Sequence, residues 1–198
     1  MTGQASDRRS GRRNFLLLAS LFFVPFIGAA WLYYASGWRP SLAAHGELID
    51  PPRPLPAIAL ALPDGGTASP DVLRGSWSLI YLAEKSCAEA CSKALAQLAR
   101  VRLALDKDAT RVQRVLLHAG DCCAPGFPGP DDQDLLVLGA KGTDGTAFLA
   151  LFPRAPYDTP SIYVVDPLGN LMMRHAASGS AEGLLKDLER LLHLSSIG

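Results

Sequence analysis

Two patterns of apolar residues divide the chain. Residues 15–35 carry no charged side chain, whereas beyond residue 58 apolar residues come in short blocks punctuated by Gly, Pro, Asp and Asn. The unbroken stretch matches the roughly 20 helical residues needed to cross the hydrocarbon core of a bilayer, with Pro25 as a kink point. In the second region, residues 77–83 and 111–119 are nearly all apolar, the signature of strands buried on both faces. Residues 135–138 and 161–165 predict two shorter strands. Residues 170–174 predict another, joined to the one before it by the turn Asp166-Pro167-Leu168-Gly169. Ala94, Leu98, Val101 and Leu105 share one face of a helix expected over 87–105. Leu184, Leu185, Leu188, Leu191 and Leu192 mark a final amphipathic helix opened by Ser180. A shorter helix is expected over 143–151, and the Asp64-Gly65-Gly66 turn suggests a small hairpin near the start of the folded region.

Charge orients these pieces. Arg8, Arg9, Arg12 and Arg13 stand ahead of the apolar run against a single acid, Asp7, so the positive-inside rule keeps the N-terminus in the cytoplasm and sends the larger, C-terminal part of the chain outside. Trp31, Tyr33, Tyr34 and Trp38 at the far end suit a membrane interface. The run exceeds the usual 7–15 residues of a signal-peptide core, which favours a retained anchor over a cleaved leader. The chain therefore divides into a basic tail (1–14), a transmembrane anchor (15–37), a proline-rich linker (38–57) and a folded region (58–198). The linker carries Pro40, Pro51, Pro52, Pro54 and Pro56 and reads as an extended spacer. Beyond residue 37, 18 acidic side chains face 15 basic ones, which argues against nucleic acid as a partner. A content of 48% hydrophobic and 19% charged residues excludes a disordered chain.

The chemistry concentrates in sulfur. SCAEAC, residues 86–91, follows the first buried strand directly, and Ser86 with Glu89 forms a capping box that sets Cys87 at the mouth of the next helix. Unsatisfied amide N–H groups and the positive end of the helix dipole favour thiolate there, which makes Cys87 the expected nucleophile. Lys85 adds to this effect, while Glu84 and Glu89 oppose it. Were both residues helical, their Cβ atoms would lie about 5–6 Å apart, beyond the roughly 3.5–4.5 Å that a disulfide requires. A redox pair therefore needs Cys87 to leave helical geometry, while two thiolates converging on a soft ion do not. Two buried structural thiols are the third possibility. Cys122 and Cys123 follow the second buried strand at the edge where the Cys87 helix also begins. With His118 they are candidate additional metal ligands. His175, on the last predicted strand, is expected at the surface.

The order β-α-β, a short α segment, β-β, α, with cysteines at the first strand-to-helix junction, resembles a thioredoxin-like domain: an α/β fold with a central mixed sheet flanked by helices. The segment LRGSWSLIYLAEKSCAEACSKALAQL (73–98) resembles the motif region of the SCO/SenC family. The Tyr163-Val164-Val165-Asp166-Pro167-Leu168-Gly169 stretch is similar to that family's hairpin motif. This resemblance implies assembly of the copper centre of a haem-copper respiratory oxidase, with Cu(I) held by Cys87 and Cys91. It also implies a respiratory oxidase subunit or its assembly factors as partner, and a single-pass protein of the cytoplasmic membrane with a periplasmic domain. The family's copper-binding histidine falls on Asp158, whose hard oxygen suits Cu(I) poorly. Thr159-Pro160 resembles instead the Thr-Pro or Val-Pro step of ordinary thioredoxins, which implies a cis bond with Pro160 lying against the reactive cysteines. Three functions stay open: an oxidase assembly factor acting as Cu(I) chaperone or as reductant of copper-ligand cysteines, a general periplasmic thiol-disulfide oxidoreductase, and a non-catalytic scaffold.

Overall fold

The computed structural model describes residues 4–35, 44–83, 87, 89–120, 122, 127, 132, 134–154, 159–195 and 197. These fall into two compact units, Met1–Ala43 and Ala44–Gly198. The first is one helix, α1 (Gln4–Ala35), with Pro25 inside it. Its stretch Arg13–Trp31 has a mean hydropathy of 1.8 and is long and apolar enough to cross a membrane. Phe15, Leu18, Leu21, Phe22 and Phe26 are all exposed, so the apolar surface runs round the helix instead of along one stripe, as a lipid-facing helix requires. Of the aromatics expected at an interface, Trp31 and Tyr34 are exposed, while the Tyr33 side chain and Trp38 lie outside the described residues.

The second unit is built on a six-stranded mixed sheet in the order β1-β6-β5-β2-β3-β4. The strands are β1 (Glu47–Pro54), β2 (Trp77–Ala83), β3 (Val112–His118), β4 (Leu135–Gly139), β5 (Ser161–Val165) and β6 (Asn170–Ala176). The three helices are α2 (Glu89–Ala104), α3 (Gly142–Leu149) and α4 (Ala181–Leu194). β2, β3 and β4 run parallel, while β5, β6 and β1 continue the sheet antiparallel from β2. The alternation of side chains along each strand sorts the core into two layers. Leu79, Tyr81, Leu116, Ile162, Val164 and Met173 pack with α2 and α4. Ile80, Val115, Leu117, Tyr163 and Val165 pack with α3 and with Leu55, Leu60 and Leu73.

Apart from the small early hairpin, every predicted strand and helix of the folded region forms close to its expected ends. Ser180 caps α4 by accepting a hydrogen bond from Gly183 N–H at 3.3 Å. The expected early hairpin is reduced to a tight turn from Leu62 to Gly66 and single bridges from Ala61 to Thr67 and Gly139. The proline-rich stretch 38–57 is not wholly a spacer, because Glu47–Pro54 forms the outermost strand. Proline removes a donor, yet an edge strand needs donors on one side only, so the prolines are tolerated there and blunt the free edge. The bond Asp50–Pro51 is the one cis peptide among the described residues, so Thr159–Pro160 is trans, contrary to expectation. The Pro160 carbonyl instead accepts Ala177 N–H at 2.8 Å, which extends the β5–β6 ladder by one rung.

Candidate functional site

The sulfur pair sits where β2 ends and α2 begins. α2 opens at Glu89, not at Cys87, so Cys87 precedes the helix and is free of its geometry. Cys87 and Cys91 are joined in a disulfide, with Cα atoms 5.1 Å apart. Cys91 is 4% exposed, and Cys87 is half-buried against the same core layer. The two residues are therefore unequal: Cys87 keeps part of its surface in solvent and Cys91 is buried. Glu89 at the helix opening pairs with Lys93 one turn on, at 2.7 Å, which offsets the negative charge closest to the pair. Glu84, Lys85 and Ser86 lie outside the described residues.

Neighbouring strands bring other candidates to the same edge. Ala83, the last residue of β2, stands opposite His118, the last of β3, and Ala119 N–H donates to the Ala83 carbonyl at 3.2 Å. Cys122 follows three residues later, half-buried against the core layer that holds Cys87, and is itself disulfide-bonded. β5 runs antiparallel to β2 with Ile162 opposite Tyr81, so Pro160 reaches this edge as well, as an exposed residue. The His118 ring is held by the Gly120 carbonyl, 2.6 Å from Nδ1, and lies over Gly139, where a Cβ would be 3.1 Å from Cε1. The sheet thus gathers Cys87, Cys91, His118, Cys122 and Pro160 along one edge. Among the described residues, however, no three His, Cys, Asp or Glu side chains are arranged to hold a metal ion. Cys123 and Asp158 lie outside the described residues.

Beneath the edge is a feature that the sequence pattern concealed. Arg114, in the middle of β3, is 1% exposed. It donates from Nε to Asp134 Oδ2 at 3.0 Å, from Nη2 to Asp134 Oδ1, from Nη1 to Asp132 at 3.1 Å and from Nη1 to the Leu95 carbonyl of α2 at 3.3 Å. Arg102 of α2 also reaches Asp134, at 3.2 Å. Burial works against the guanidinium charge, but the bonds to Asp134 and Asp132 outweigh it and hold the proton more firmly than in an ordinary arginine. The same bond from Arg114 is the main reason that the Asp134 carboxyl sits below the usual aspartate range, against a smaller opposing effect of burial. One cation thus ties together β3, which leads to Cys122, the chain that enters β4, and the helix that starts at the disulfide. The available signal was parity: Arg114 shares its strand face with the buried Val112 and Leu116. Along that same helix a groove of about 310 Å³ runs from Ser92 to Arg100, facing Phe127 and Asp132.

The hairpin motif has a different job. Asp166 Oδ1 accepts Leu168 N–H and Asn170 N–H at 2.9 and 2.8 Å, and Oδ2 accepts Asn170 Nδ2 at 2.9 Å. Gly169 adopts φ +88°. This turn joins the far ends of β5 and β6, at the sheet edge opposite the disulfide. His175 corrects the sequence reading: it is 7% exposed, not a surface residue, because its parity in β6 matches buried Leu171 and Met173.

Comparison with known proteins agrees with this architecture. The model of the family described as transmembrane-like, thioredoxin-like, C-terminal domain matches residues 77–195, and a comparison with curated proteins finds no match. Among solved structures, the chain is similar to apo Sco1 from Thermus thermophilus, at 19% identity and a TM-score of 0.56, over 78% of this chain and 100% of that one. It is similar to copper-bound ScoI from Bradyrhizobium japonicum at 20% identity and a TM-score of 0.51, over 75% and 100% of the two chains. It is also similar to BsSco, a member of the Sco family of cytochrome c oxidase assembly proteins in which a disulfide switch was identified. That match is at 15% identity and a TM-score of 0.54, over 72% and 96%. These likenesses establish a Sco-like thioredoxin fold. With the family model covering more than half of its length, the chain belongs to the transmembrane-like, thioredoxin-like C-terminal domain family.

Proposed function

We propose that this protein is a membrane-anchored, extracytoplasmic assembly factor for a haem-copper respiratory oxidase, acting through thiol-disulfide exchange at Cys87 and Cys91. The observation that carries the reading is the disulfide itself, with a partly exposed Cys87 ahead of a helix and a buried Cys91 within it. In the reduced state, the Cys87 thiolate attacks one sulfur of a partner's disulfide. A mixed disulfide forms and one partner thiolate leaves. The Cys91 thiolate then attacks Cys87, which releases the partner's second thiol and restores the Cys87–Cys91 bond. Two electrons pass to the partner, and a dithiol reductant on the same side of the membrane must return them. Copper-ligand cysteines of an oxidase subunit are targets of this chemistry, since a metal site needs them as thiolates.

A second reading rests on the same sulfurs and on the likeness to a copper-bound ScoI: the reduced pair holds Cu(I) as cargo. Two thiolates suit that soft ion, and the cysteines fit it only once their bond is broken. General oxidoreductase and scaffold roles are the outcomes to exclude. The deciding experiment measures oxidase activity and copper content in cells carrying Cys87→Ser/Cys91→Ser. Loss of activity with a normal rate of insulin-disulfide reduction by the wild-type protein in vitro would point to a general oxidoreductase. Unchanged assembly in the double variant would point to the scaffold. Failure of assembly that added copper rescues would favour cargo over electron transfer.

A further inference from the structure

Helix α2 carries three cations, and two of them are committed. Lys93 pairs with Glu89 at 2.7 Å, while Arg102 pairs with Asp134 at 3.2 Å and donates to the Val112 carbonyl at 2.7 Å. Arg100 is exposed and makes no ion pair or side-chain hydrogen bond among the described residues. It stands at the far end of the 310 Å³ groove that begins at Ser92, directly after Cys91. The one acid on that groove, Asp132, is already held by buried Arg114 at 3.1 Å. The uncommitted charge that faces an occupant is therefore positive.

The rest of the lining is apolar. Buried Leu95 and half-buried Phe127 meet there with Ala96 and Ala99, whose short side chains leave the room that longer ones would fill. Phe127 packs against the core layer that also holds Cys87 and Cys91. The groove is thus continuous with the disulfide, and its volume, at the lower end for ligand sites, takes a short segment of chain. Spacing says which one. At 1.5 Å of rise per residue, Ala96 lies about 7 Å and Arg100 about 13 Å beyond Cys91 along the helix axis. An extended chain advances about 3.3 Å per residue and returns every second side chain to the same face. Residues two and four places from an attacked cysteine therefore come level with Ala96 and Arg100, on the cysteine's own side of the strand.

We propose that this groove reads the partner segment that carries the target disulfide: an extended stretch with a bulky apolar side chain two residues from the attacked cysteine and a carboxylate four residues from it, paired with Arg100. This recognition rests on exchange at Cys87, as proposed above, and selects which disulfides are attacked.

The test uses the full-length protein in detergent, reduced with a small dithiol that is then removed. The probes are peptides whose single cysteine is joined through a disulfide to 5-thio-2-nitrobenzoate. Attack of the Cys87 thiolate on the peptide sulfur forms the protein–peptide disulfide and releases the coloured thiolate, whose initial rate is read. Cys87→Ser supplies the background from other thiols. Acetyl-Cys-Gly-Phe-Gly-Asp-amide and its reversed sequence cover both chain directions. In the faster direction the Asp peptide is expected to react about threefold to tenfold faster than its Lys counterpart at low salt, a preference that about 1 M salt screens away. Arg100→Glu should reverse the order of the two. Ala96→Trp, at an exposed position, should bring the Phe peptide down to the rate of a Gly counterpart. An unchanged order in Arg100→Glu, or equal rates for all peptides in the wild type, overturns the groove's role and leaves exchange standing. Equal rates together with a dimer that Ala96→Trp dissociates would assign the groove to a second copy instead. No reaction above background with any peptide overturns exchange at Cys87, and this recognition with it.

Discussion

The two edges of the sheet carry loops of opposite character. At one edge Asp166 commits both carboxylate oxygens to its own turn, satisfying three N–H donors within four residues. The hairpin there is complete in itself. At the other edge the helix mouth, the end of β3 and the start of β5 meet without a shared turn, and the groups gathered there come from these three separate segments. The lesson is that polar residues at a strand end mean different things according to where their bonds close: locally, they make a fold; between segments, they leave atoms available for chemistry.

Substitutions can break this contrast. Cys87→Ser should abolish disulfide exchange altogether while leaving the fold intact, read as loss of insulin reduction with an unchanged circular dichroism spectrum. Arg114→Met is expected to cost about 3 kcal/mol in denaturant unfolding, because a buried cation that ties three segments cannot be lost without leaving its partners uncompensated. Its influence should extend to the sulfur edge, as faster reduction of Cys87–Cys91 by a small dithiol. Asp166→Ala should cost about 1–3 kcal/mol for the orphaned N–H groups and leave the exchange rate at the wild-type value. If it slowed exchange as much as it lowered stability, the two edges would not be separable.

The smallest effect is in pH. Folding holds the Asp134 carboxyl below its ordinary range, mainly through the bond from Arg114. Its contribution is therefore present above the unfolded value of about 4 and fades as pH falls through the lower folded value. Unfolding measured between pH 5 and 2 should show a shallower acid loss in Asp134→Asn than in wild type.

The contrast also explains how much could be read from the sequence. Periodicity located β2, β3, α2 and α4, because burial on one or both faces leaves a direct imprint on residue type. It also located the sulfur pair, since a Cys-x-x-x-Cys at a strand-to-helix junction is visible as a string. It missed β1, because an outer strand with one paired side tolerates the prolines that mark a spacer. It missed the environment of His175, since that depends on Gly46 and Asp187, more than ten residues away in both directions. Arg114 lay in plain view within an apolar strand, but its partners Asp132 and Asp134 lie 18 and 20 residues further along the chain, and nothing local announces the pairing. The implied cis bond at Thr159–Pro160 failed for a related reason: a two-residue likeness carried no information on the rung that Pro160 adds to the hairpin.

The chain enters its folded unit through an edge strand, and that has a mechanical side. A pull on Ala44 would meet first the hydrogen bonds that the His45 and Gly46 amides donate to the Asp187 carboxylate, and next the β1–β6 ladder. A pull at this end is thus met first at the outermost strand, three positions along the sheet from β2 and the cysteines that follow it.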